Sequence, residues 1–273
     1  MENKILAVIV LYKIKLHDSL TFKTLLTSLE KSSSNLSLFV YDNSPSGDDF
    51  VFQYDNIEIF YEGDKLNSGI SRAYNRAGEF ARTKNLDWLL FLDQDSSLPD
   101  NFIQTVRNSI NQNPKQVFFA PILKHNQTTL SPCNFKYNKG SEIKNIKSGI
   151  SLLENKSVLN SGIVVKLSTF FKAGGYNEKV ELDFSDHSFI HRLKKVNNEF
   201  VIMPIIINHE LSSFSEDHKI IYRRFEQYCK GIKNYYQHED KSKWLIFWTL
   251  LRAIKLTLKF KNLNFLKLFL LNI

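Results

Sequence analysis

The chain has 273 residues, 43% hydrophobic and 13% aromatic, which is enough to bury the core of one large domain. Two cysteines, Cys133 and Cys229, are too few for a disulfide framework or a zinc site and indicate a reducing compartment. The net charge of +8 is uneven, because residues 241–273 carry seven Lys or Arg and no acidic residue. The first 240 residues are therefore nearly neutral at +1, which argues against a nucleic-acid-binding domain.

The first 92 residues alternate between predicted strands and helices. The opening apolar segment lacks the cleavage site of a secretory signal, and we interpret it as a buried strand. The predicted elements are strand Lys4–Tyr12, helix His17–Lys31, strand Leu36–Tyr41, strand Ile57–Tyr61, helix Ser68–Lys84 and strand Trp88–Leu92. Continuous apolar strands separated by helices predict an α/β fold with a mostly parallel sheet covered on both faces.

Polar side chains follow three of these strands. Asp42-Asn43-Ser44-Pro45 ends the second strand, Asp64–Asn67 follows the third, and Asp93-Gln94-Asp95 ends the fourth. In parallel sheets, ligands bind outside the carboxyl ends of the strands. Taken alone, the segment that begins at Asp42 is more typical of a plain turn than of a binding site.

Asp93 and Asp95 form the most informative pair. In an extended chain their side chains point the same way. Carboxylate oxygens bind hard divalent cations, and Mg²⁺ usually also keeps substrate phosphates as ligands. We therefore predict a metal site that holds a diphosphate, the alternative being a solvated strand end.

The second half of the chain is less regular. Val117–Leu123 and Phe200–Ile207 are predicted strands, and no element is predicted in the polar stretch that runs to Asn145. A short helix is predicted over Thr169–Ala173, ended by Gly174-Gly175. A longer helix is predicted over Phe184–Lys195, whose His187 and His191 we interpret as surface or packing residues.

Eight short motifs occur in order between residues 4 and 215. They are Val10-Leu11-Tyr12-Lys13, Tyr41-Asp42-Asn43-Ser44, the segment from Asn67 to Asn75, Leu92-Asp93-Gln94-Asp95-Ser96, Asn160-Ser161-Gly162, Gly174-Gly175-Tyr176-Asn177-Glu178, Asp183-Phe184-Ser185-Asp186 with Arg192, and His209. Together they resemble family 2 glycosyltransferases of the GT-A fold, and within that family the bacterial rhamnosyltransferase branch.

The resemblance implies a fold and an activity. The fold would be a Rossmann-like, mostly parallel sheet flanked by helices. Residues 1–215 would form the catalytic domain and residues 216–273 a helical extension. The activity would be inverting, metal-dependent transfer of a sugar, most simply L-rhamnose from dTDP-rhamnose, in cell-surface polysaccharide synthesis. UDP-galactofuranose, UDP-glucose and UDP-galactose are alternative donors.

The resemblance also assigns residues to the donor. Asp42 would accept a hydrogen bond from the N3–H of the pyrimidine base, while Asp93 would lie near the ribose and the metal. Mg²⁺ or Mn²⁺ would be held by Asp93, Asp95 and His209. The remaining nucleotide-sugar contacts would come from Leu11, Tyr12, Asn67, Gly69 and Asn75.

Asp186 is the predicted general base, because it lies six residues before Arg192 as in many relatives. Its alternative role is to cap the following helix. Asp183 and Arg192 would support the base or the acceptor, and Gly162 and Gly175 would shape the acceptor side, the alternative being simple turn chemistry. The sequence departs from the family pattern at Ser188, where many relatives carry an acidic residue.

Two other classes of function are considered. A nucleotidyltransferase also uses strand-end carboxylates, but Val10-Leu11-Tyr12-Lys13 is not the Gly-rich, Lys-containing loop that such enzymes usually carry. The other alternative is a catalytically silent sugar-binding protein anchored by its tail.

The basic tail predicts an amphipathic helix from Trp244 to Phe260. It lacks an uncharged run of about 18 apolar residues, so a spanning helix is not expected. A basic segment rich in Trp, Phe and Leu is typical of helices that lie on an anionic bilayer. We therefore expect a cytoplasmic protein, peripheral on the inner face of the bacterial plasma membrane, with a saccharide or lipid-linked acceptor. The alternative is a helix packed on the catalytic domain or in a homodimer.

Overall fold

The computed structural model describes residues 3–47, 53–209 and 217–273, and of His209 only the backbone. The strands are β1 (Ile5–Leu11), β2 (Leu36–Asp42), β3 (Ile57–Gly63), β4 (Trp88–Asp93), β5 (Ser96–Ser97), β6 (Phe118–His125), β7 (Thr128–Ser131), β8 (Cys133–Lys136), β9 (Lys139–Glu142), β10 (Gly149–Leu152), β11 (Lys156–Ser157), β12 (Val164–Lys166) and β13 (Glu199–His209). The helices are α1 (Leu20–Ser32), α2 (Ile70–Thr83), α3 (Phe102–Gln112), α4 (Leu167–Lys172), α5 (Ser185–Leu193), α6 (His218–His238), α7 (Lys243–Phe260) and α8 (Asn264–Asn272).

The large sheet has the strand order β10-β13-β6-β12-β4-β1-β2-β3, with β5 paired to β13 and β7 paired to β6. Strands β1 to β4 pair in parallel, as does β13 with β6. The short β12 runs antiparallel between β4 and β6. The predicted α/β class with a mostly parallel sheet is therefore confirmed.

Helices cover both faces of this sheet, because alternate strand residues point to opposite sides. Ile5, Ala7 and Ile9 of β1 pack into one core with residues of α1 and α3. Leu6 and Val8 pack into the other core with residues of α2, α4 and α5. Each fully buried Leu, Ile or Phe side chain contributes about 1.5–3 kcal/mol to folding, so the two cores fix the strands that carry the polar ends.

Two helices begin later than the sequence predicts, for local reasons. Leu16–Asp18 forms a short 3₁₀ turn, and the Ser19 hydroxyl accepts the Phe22 N–H at 3.2 Å, so α1 begins at Leu20. Gly69 has φ +91° and precedes α2. These turns place both helix starts close to the polar strand ends.

The region after β6 contains strands that the sequence does not predict. Strands β8, β9 and β11 form a separate small sheet. All four residues of β9 are exposed. Because β9 has no buried face, its sequence does not alternate between apolar and polar residues, and this alternation is the signal that predicts a strand.

The three C-terminal helices share a small core of their own. It contains Phe225, Cys229, Ala253, Phe265 and Phe269. A second cluster joins them to the rest of the chain through Val180, Ile232, Tyr235 and Leu245. Among the described residues, none of the helices combines the length and the apolar character needed to cross a bilayer.

Candidate active site

A cavity of about 640 Å³ opens where β1, β2 and β4 end at their carboxyl termini. Five acidic residues line it, and these are Asp93, Asp95, Glu181, Asp183 and Asp186. Of the other predicted donor residues, Tyr12, Asn67 and Gly69 line it as well. The structure therefore brings together strand ends and a helix start that are about ninety residues apart in the sequence.

A larger cavity of about 1050 Å³ lies at the amino ends of β1, β2 and β3, bordered by Ile5, Leu36 and Ile57. It contains none of the predicted site residues. The smaller cavity is the better candidate because ligands bind at the carboxyl ends of parallel strands.

Gln94 holds the turn between Asp93 and Asp95 in place. Its side-chain oxygen accepts the Tyr12 N–H at 2.8 Å, and its side-chain nitrogen donates to the Tyr12 carbonyl at 3.4 Å. The Ser19 hydroxyl donates to the Gln94 carbonyl at 2.7 Å. The sequence predicts no role for Gln94, yet its hydrogen bonds tie the turn between Asp93 and Asp95 to Tyr12 and Ser19.

Ser96 anchors the other side of the same turn. Its backbone exchanges hydrogen bonds with the Thr21 hydroxyl at 2.8 and 2.9 Å. Its own hydroxyl lies 2.7 Å from that of Ser161. The backbone of His209 pairs with Ser96 across β5 and β13, so His209 enters this part of the fold, although its side chain lies outside the described residues.

The donor set suits a divalent cation that is shared with a substrate. Among the described residues, no three His, Cys, Asp or Glu side chains converge as a metal cage would require. Asp93 and Asp95 nevertheless border one cavity. Mg²⁺ is commonly held by one or two carboxylates together with substrate phosphates, so two carboxylates at the mouth of a cavity fit it.

Asp42 is buried behind the cavity wall and is 1% exposed. The Tyr61 hydroxyl and the Ser44 N–H each donate to one of its carboxylate oxygens at 2.8 Å. The next residue, Asn43, lines the cavity, and its buried side-chain oxygen accepts no hydrogen bond within the described structure. Asn43 therefore brings an unused acceptor to the place where the base was predicted.

Asp64 organises the loop that carries Asn67 and Gly69. It accepts hydrogen bonds from the Tyr41 hydroxyl and from the N–H groups of Leu66 and Ser68, at 2.9–3.0 Å. Burial opposes the charged form of Asp64, but the hydrogen bonds from Ser68 and its neighbours outweigh burial and lower the pKa of this carboxyl. The charged turn holds the loop against the cavity.

Gly69 needs to be glycine for two reasons. Its φ of +91° lies in a region that L side chains rarely adopt. A Cβ at this position would also lie 2.6 Å from the carbonyl oxygen of Glu181. Close backbone contact therefore joins the start of α2 to the segment before Asp183.

Asn75 lies away from the predicted nucleotide. Its side chain exchanges hydrogen bonds with the backbone of Tyr176 at 2.8 and 3.0 Å and donates to Glu178 at 2.9 Å. A Cβ on Gly175 would lie 2.6 Å from the Asn75 side-chain oxygen. Asn75 and Gly175 thus pack against each other behind the cavity.

Gly162 packs inside the protein. A Cβ there would lie 2.6 Å from Ile207 and 2.7 Å from Pro121. Its neighbour Asn160 lines the cavity and accepts a hydrogen bond from the Tyr176 hydroxyl at 2.6 Å. For Gly162 the turn alternative therefore describes the structure better than a direct acceptor contact.

Asp186 occupies the first turn of α5, where a carboxylate is favoured by the helix dipole. The helix is preceded by Phe184, which occupies the N-cap position, so the alternative in which Asp186 caps the helix does not hold. Asp186 accepts the His187 N–H at 2.7 Å. His187 itself stacks on Phe135 and pairs with Ser157, which agrees with a packing role.

Asp183 is a partly buried carboxylate that lines the same cavity as Asp186. Burial raises its pKa, the positive charges of Arg224 and Arg252 oppose that shift, and the Asp186 charge adds to it. Burial likewise raises the pKa of Tyr74, next to Asp93, well above its ordinary value. Tyr74 is fully buried and is not among the lining residues of the cavity, so this phenol, which stays protonated, lies behind the carboxylates.

Arg192 meets a carboxylate that the sequence analysis did not consider. The side chain of Glu239, 3% exposed, lies just after α6 and accepts from Arg192 at 3.0 Å. The same oxygen accepts from Ser188 at 2.9 Å and from Asn177 at 2.8 Å. Arg192 also donates to the Gly174 carbonyl at 2.9 Å. Ser188, where many relatives carry an acidic residue, thus binds an acidic residue from the C-terminal region.

Helix α6 forms one wall of the cavity. The lining residues of α6 recur three or four positions apart and so share one helix face. They are Arg224, Gln227, Lys230, Gly231 and Asn234. The sequence analysis assigned α6 to an extension, and no motif marks this face.

The fold is similar to solved structures of the TarS protein of S. aureus. The structure of TarS residues 1–349 in complex with UDP superposes with a TM-score of 0.55 at 13% identity, covering 88% of this chain and 74% of that one. A longer TarS structure gives the same TM-score at 12% identity and covers 87% of this chain and 44% of that one. At this identity the likeness establishes the fold.

Comparison of the sequence with known families and proteins gives two matches. The model of glycosyl transferase family 2 matches residues 19–149. The dTDP-rhamnosyl transferase RfbF of Shigella flexneri is 24% identical over 189 residues, which is 68% of this chain and 62% of the relative. Residues 19–149 therefore carry a glycosyl transferase family 2 domain. The chain spans less than two thirds of the length of RfbF and of the longer TarS structure.

Apart from His209, whose side chain lies outside the described residues, the predicted site residues divide into two groups. Tyr12, Asn67, Gly69, Asp93, Asp95, Asp183 and Asp186 border the cavity. The others lie in the walls behind it, and these are Leu11, Asp42, Asn75, Gly162, Gly175 and Arg192. The second group positions the first, since its members hold the loops from which the lining residues project.

Proposed function

We propose that the chain transfers a sugar, with inversion, from a nucleoside diphosphate to a hydroxyl of a saccharide or lipid-linked acceptor. The observation that carries this proposal is the convergence of Asp93, Asp95, Asp183 and Asp186 on one cavity in a chain with a family 2 domain. The acceptor oxygen attacks the anomeric carbon, the bond from that carbon to the diphosphate oxygen breaks, and the acceptor proton passes to Asp186. No protein nucleophile is required.

Asp186 suits the role of general base. It borders the catalytic cavity, it is held by the His187 N–H, and its side chain is 19% exposed. A carboxylate within hydrogen-bond reach of the acceptor hydroxyl contributes typically 10²–10⁴-fold to such a step. Asp183, beside it, supports the acceptor or the base.

Asp95, with Asp93 and His209, would hold Mg²⁺ or Mn²⁺. When bound, the cation supplies electrostatic stabilisation to the departing diphosphate. Gln94 and Ser96 anchor the two sides of the Asp93–Asp95 turn, and so they fix where the cation would bind.

The base would bind near Asn43 and Asp42. Asp42 already receives two hydrogen bonds from the protein, and the unpartnered Asn43 oxygen borders the cavity. The side-chain oxygen of Asn43 can accept the N3–H of uracil or of thymine, so the site suits both UDP- and dTDP-sugars.

We favour dTDP-L-rhamnose as the donor. The Asp93-Gln94-Asp95-Ser96 motif and the likeness to a dTDP-rhamnosyl transferase support it. TarS has been solved with UDP-GlcNAc, which belongs beside the UDP-hexoses in any donor panel. The product would extend a cell-surface polysaccharide.

A donor panel with two variants tests this function. Thermal shift with Mn²⁺ should show stabilisation by dTDP-rhamnose, and the wild-type chain should transfer or slowly hydrolyse that donor. Asp186→Asn should keep donor binding and lose at least about 100-fold in transfer. Asp95→Ala should lose the metal-dependent part of donor binding.

The possible results separate the hypotheses. Full transfer by Asp186→Asn would contradict the base assignment. Donor binding by the wild-type chain without transfer or hydrolysis would favour the silent sugar-binding protein. Thermal stabilisation by UDP-sugars alone would contradict dTDP-rhamnose as the donor, but it would remain consistent with sugar transfer.

A further inference from the structure

Two smaller cavities lead from the catalytic cavity toward α7. The first, of about 290 Å³, shares Asp183, Asp186 and Arg224 with the catalytic cavity. The second, of about 470 Å³, shares Tyr228 and Arg252 with the first. The three cavities therefore adjoin in sequence, with Asp186 at the inner junction and Arg252 at the outer one.

The outer cavity is cationic. Lys139, Arg252 and Lys255 line it, and none of the described residues that line it carries a carboxylate. The Lys139 ammonium lies 4.3 Å from the centre of the Trp248 ring, and the Arg252 guanidinium lies 4.1 Å from that of Tyr228. Aromatic rings therefore hold these two cations beside an open space, an arrangement suited to binding an anion.

The nearby acidic residues do not account for all of this charge. Arg224 and Arg252 act on Asp183 and match the two carboxylates of the inner cavity in number. Within the part of the chain that the structure describes, neither Lys139 nor Lys255 forms a salt bridge. The positive charges of Lys139 and Lys255 therefore remain in addition to the charges of Arg224 and Arg252, which the two carboxylates balance.

An apolar stripe on α7 begins at the same cavity. Its members are 38–73% exposed and recur every three or four residues, and they are Trp244, Phe247, Leu251, Ile254 and Leu258. Leu251 belongs both to this stripe and to the lining of the outer cavity. The cationic space thus opens directly onto an exposed apolar helix face.

We propose that the outer cavity binds the diphosphate of a lipid-linked saccharide acceptor. Lys139, Arg252 and Lys255 contact the diphosphate, the lipid chain follows the α7 stripe, and the sugar passes through the inner cavity to Asp186. The transfer step rests on the proposed function, whereas the binding of a lipid diphosphate does not. Two observations favour this ligand. The cationic lining complements the negative diphosphate, and Leu251 belongs both to the cavity lining and to the apolar stripe that the lipid chain would follow.

Binding of geranylgeranyl diphosphate to the full-length chain tests the subsite. Isothermal titration should show that Lys255→Gln weakens binding at least tenfold. Lys259→Gln removes the same charge one turn further along α7, outside the cavity, and should bind like the wild type. Geranylgeraniol, which has no charge, and inorganic pyrophosphate, which has no chain, should each bind at least tenfold more weakly than the diphosphate lipid.

Several results would overturn the proposal. Equal affinity of Lys255→Gln and the wild type for geranylgeranyl diphosphate would contradict the proposed subsite. Equal losses in Lys255→Gln and Lys259→Gln, or equal binding to phosphatidylglycerol vesicles of matched phosphate content, would reduce it to general attraction to anionic lipid. A concentration-dependent dimer that loses its dimer state in Leu258→Gln, with no lipid diphosphate binding, would assign the stripe to a second copy.

The two proposals fail separately. The nucleotide-sugar thermal shift of Lys255→Gln should equal that of the wild type, which also verifies that the variant folds. Lipid diphosphate binding without any nucleotide-sugar binding would contradict the transferase function alone. Transfer to a simple saccharide without lipid diphosphate binding would contradict the subsite alone.

Discussion

One oxygen of Glu239 contacts three donor side chains from two separate parts of the chain. Asn177 belongs to the Gly-Gly-Tyr-Asn loop, while Ser188 and Arg192 lie on α5, the helix that carries Asp186. A buried carboxylate that unites several donors fixes their relative positions. We therefore assign Glu239 to the positioning of the base.

Substitution of Glu239 tests this role. Glu239→Ala should lower the free energy of unfolding by about 2–3 kcal/mol, because buried donors lose their acceptor. Glu239→Gln keeps an acceptor oxygen and should recover most of that stability. We expect both variants to lower kcat more than they raise KM, and to alter the pH dependence of kcat, which a purely structural role would leave unchanged.

A surface carboxylate serves as the control for Glu239. Glu79 lies 3.3 Å from Arg76 on the exposed side of α2, and its alanine variant should cost less than about 1 kcal/mol with unchanged kinetics. An unchanged pH dependence in the folded Glu239→Gln variant would contradict the positioning role.

The two kinds of site residue differ in how visible they are from sequence. Asp93 and Asp95 follow a continuous apolar strand, so strand polarity alone predicts where they lie. Glu239 follows α6 and lies 51 residues from its partner Ser188. No local periodicity connects such a pair. Position 188 is a serine rather than an acidic residue, and only the folded structure shows that Glu239 from the C-terminal region brings a carboxylate to it.

Helix α6 shows the same limit at the scale of an element. Its cavity face carries Arg224, Gln227, Lys230 and Asn234, which in sequence look like an ordinary solvated face. The opposite side buries Phe225 and Cys229 against α7 and α8. Periodicity predicts the buried side of such a helix, but it does not distinguish water from a substrate cavity on the other side.

Gly231 of α6 packs closely against the backbone of Asp183. A Cβ there would lie 2.8 Å from the Asp183 carbonyl oxygen. Alanine favours a helix interior over glycine by about 1 kcal/mol, so Gly231→Ala should change the melting temperature little while it displaces Asp183. We expect transfer to fall about tenfold, measured as kcat/KM at fixed donor concentration.

Lys233→Ala provides a matched change on the exposed side of the same helix. It should leave both the melting temperature and kcat/KM unchanged. Wild-type transfer by Gly231→Ala would show that the contact between α6 and Asp183 does not matter for the reaction.

At the scale of the whole molecule, the C-terminal helices serve two purposes. Leu245 and Ala253 of α7 are buried, whereas the stripe that includes Phe247 and Leu258 is exposed. Removing residues after Lys241 would therefore expose the packed side of α6 as well as delete the stripe. A membrane experiment based on deletion alone cannot separate these effects, and single substitutions on the stripe are sharper.

We expect Phe247→Gln and Leu258→Gln to weaken sedimentation with phosphatidylglycerol vesicles at least fivefold, because each removes apolar area from the interface. Their melting temperatures should remain close to that of the wild type, since both side chains are exposed. Binding should also fall as salt is raised, because the basic residues of the tail contribute by attraction to anionic lipid. Unchanged sedimentation of both variants would contradict a membrane role for this face.

The contacts of Glu239 also set an order of events during synthesis. A chain leaves the ribosome from its N-terminus at about 5–20 residues per second, and domains fold as they emerge. The strand-end carboxylates are made early, but the acceptor that holds Ser188, Arg192 and Asn177 arrives only with residue 239. We therefore expect a growing chain to form the strand ends that carry Asp93 and Asp95 before it can fix α5, the helix that carries Asp186.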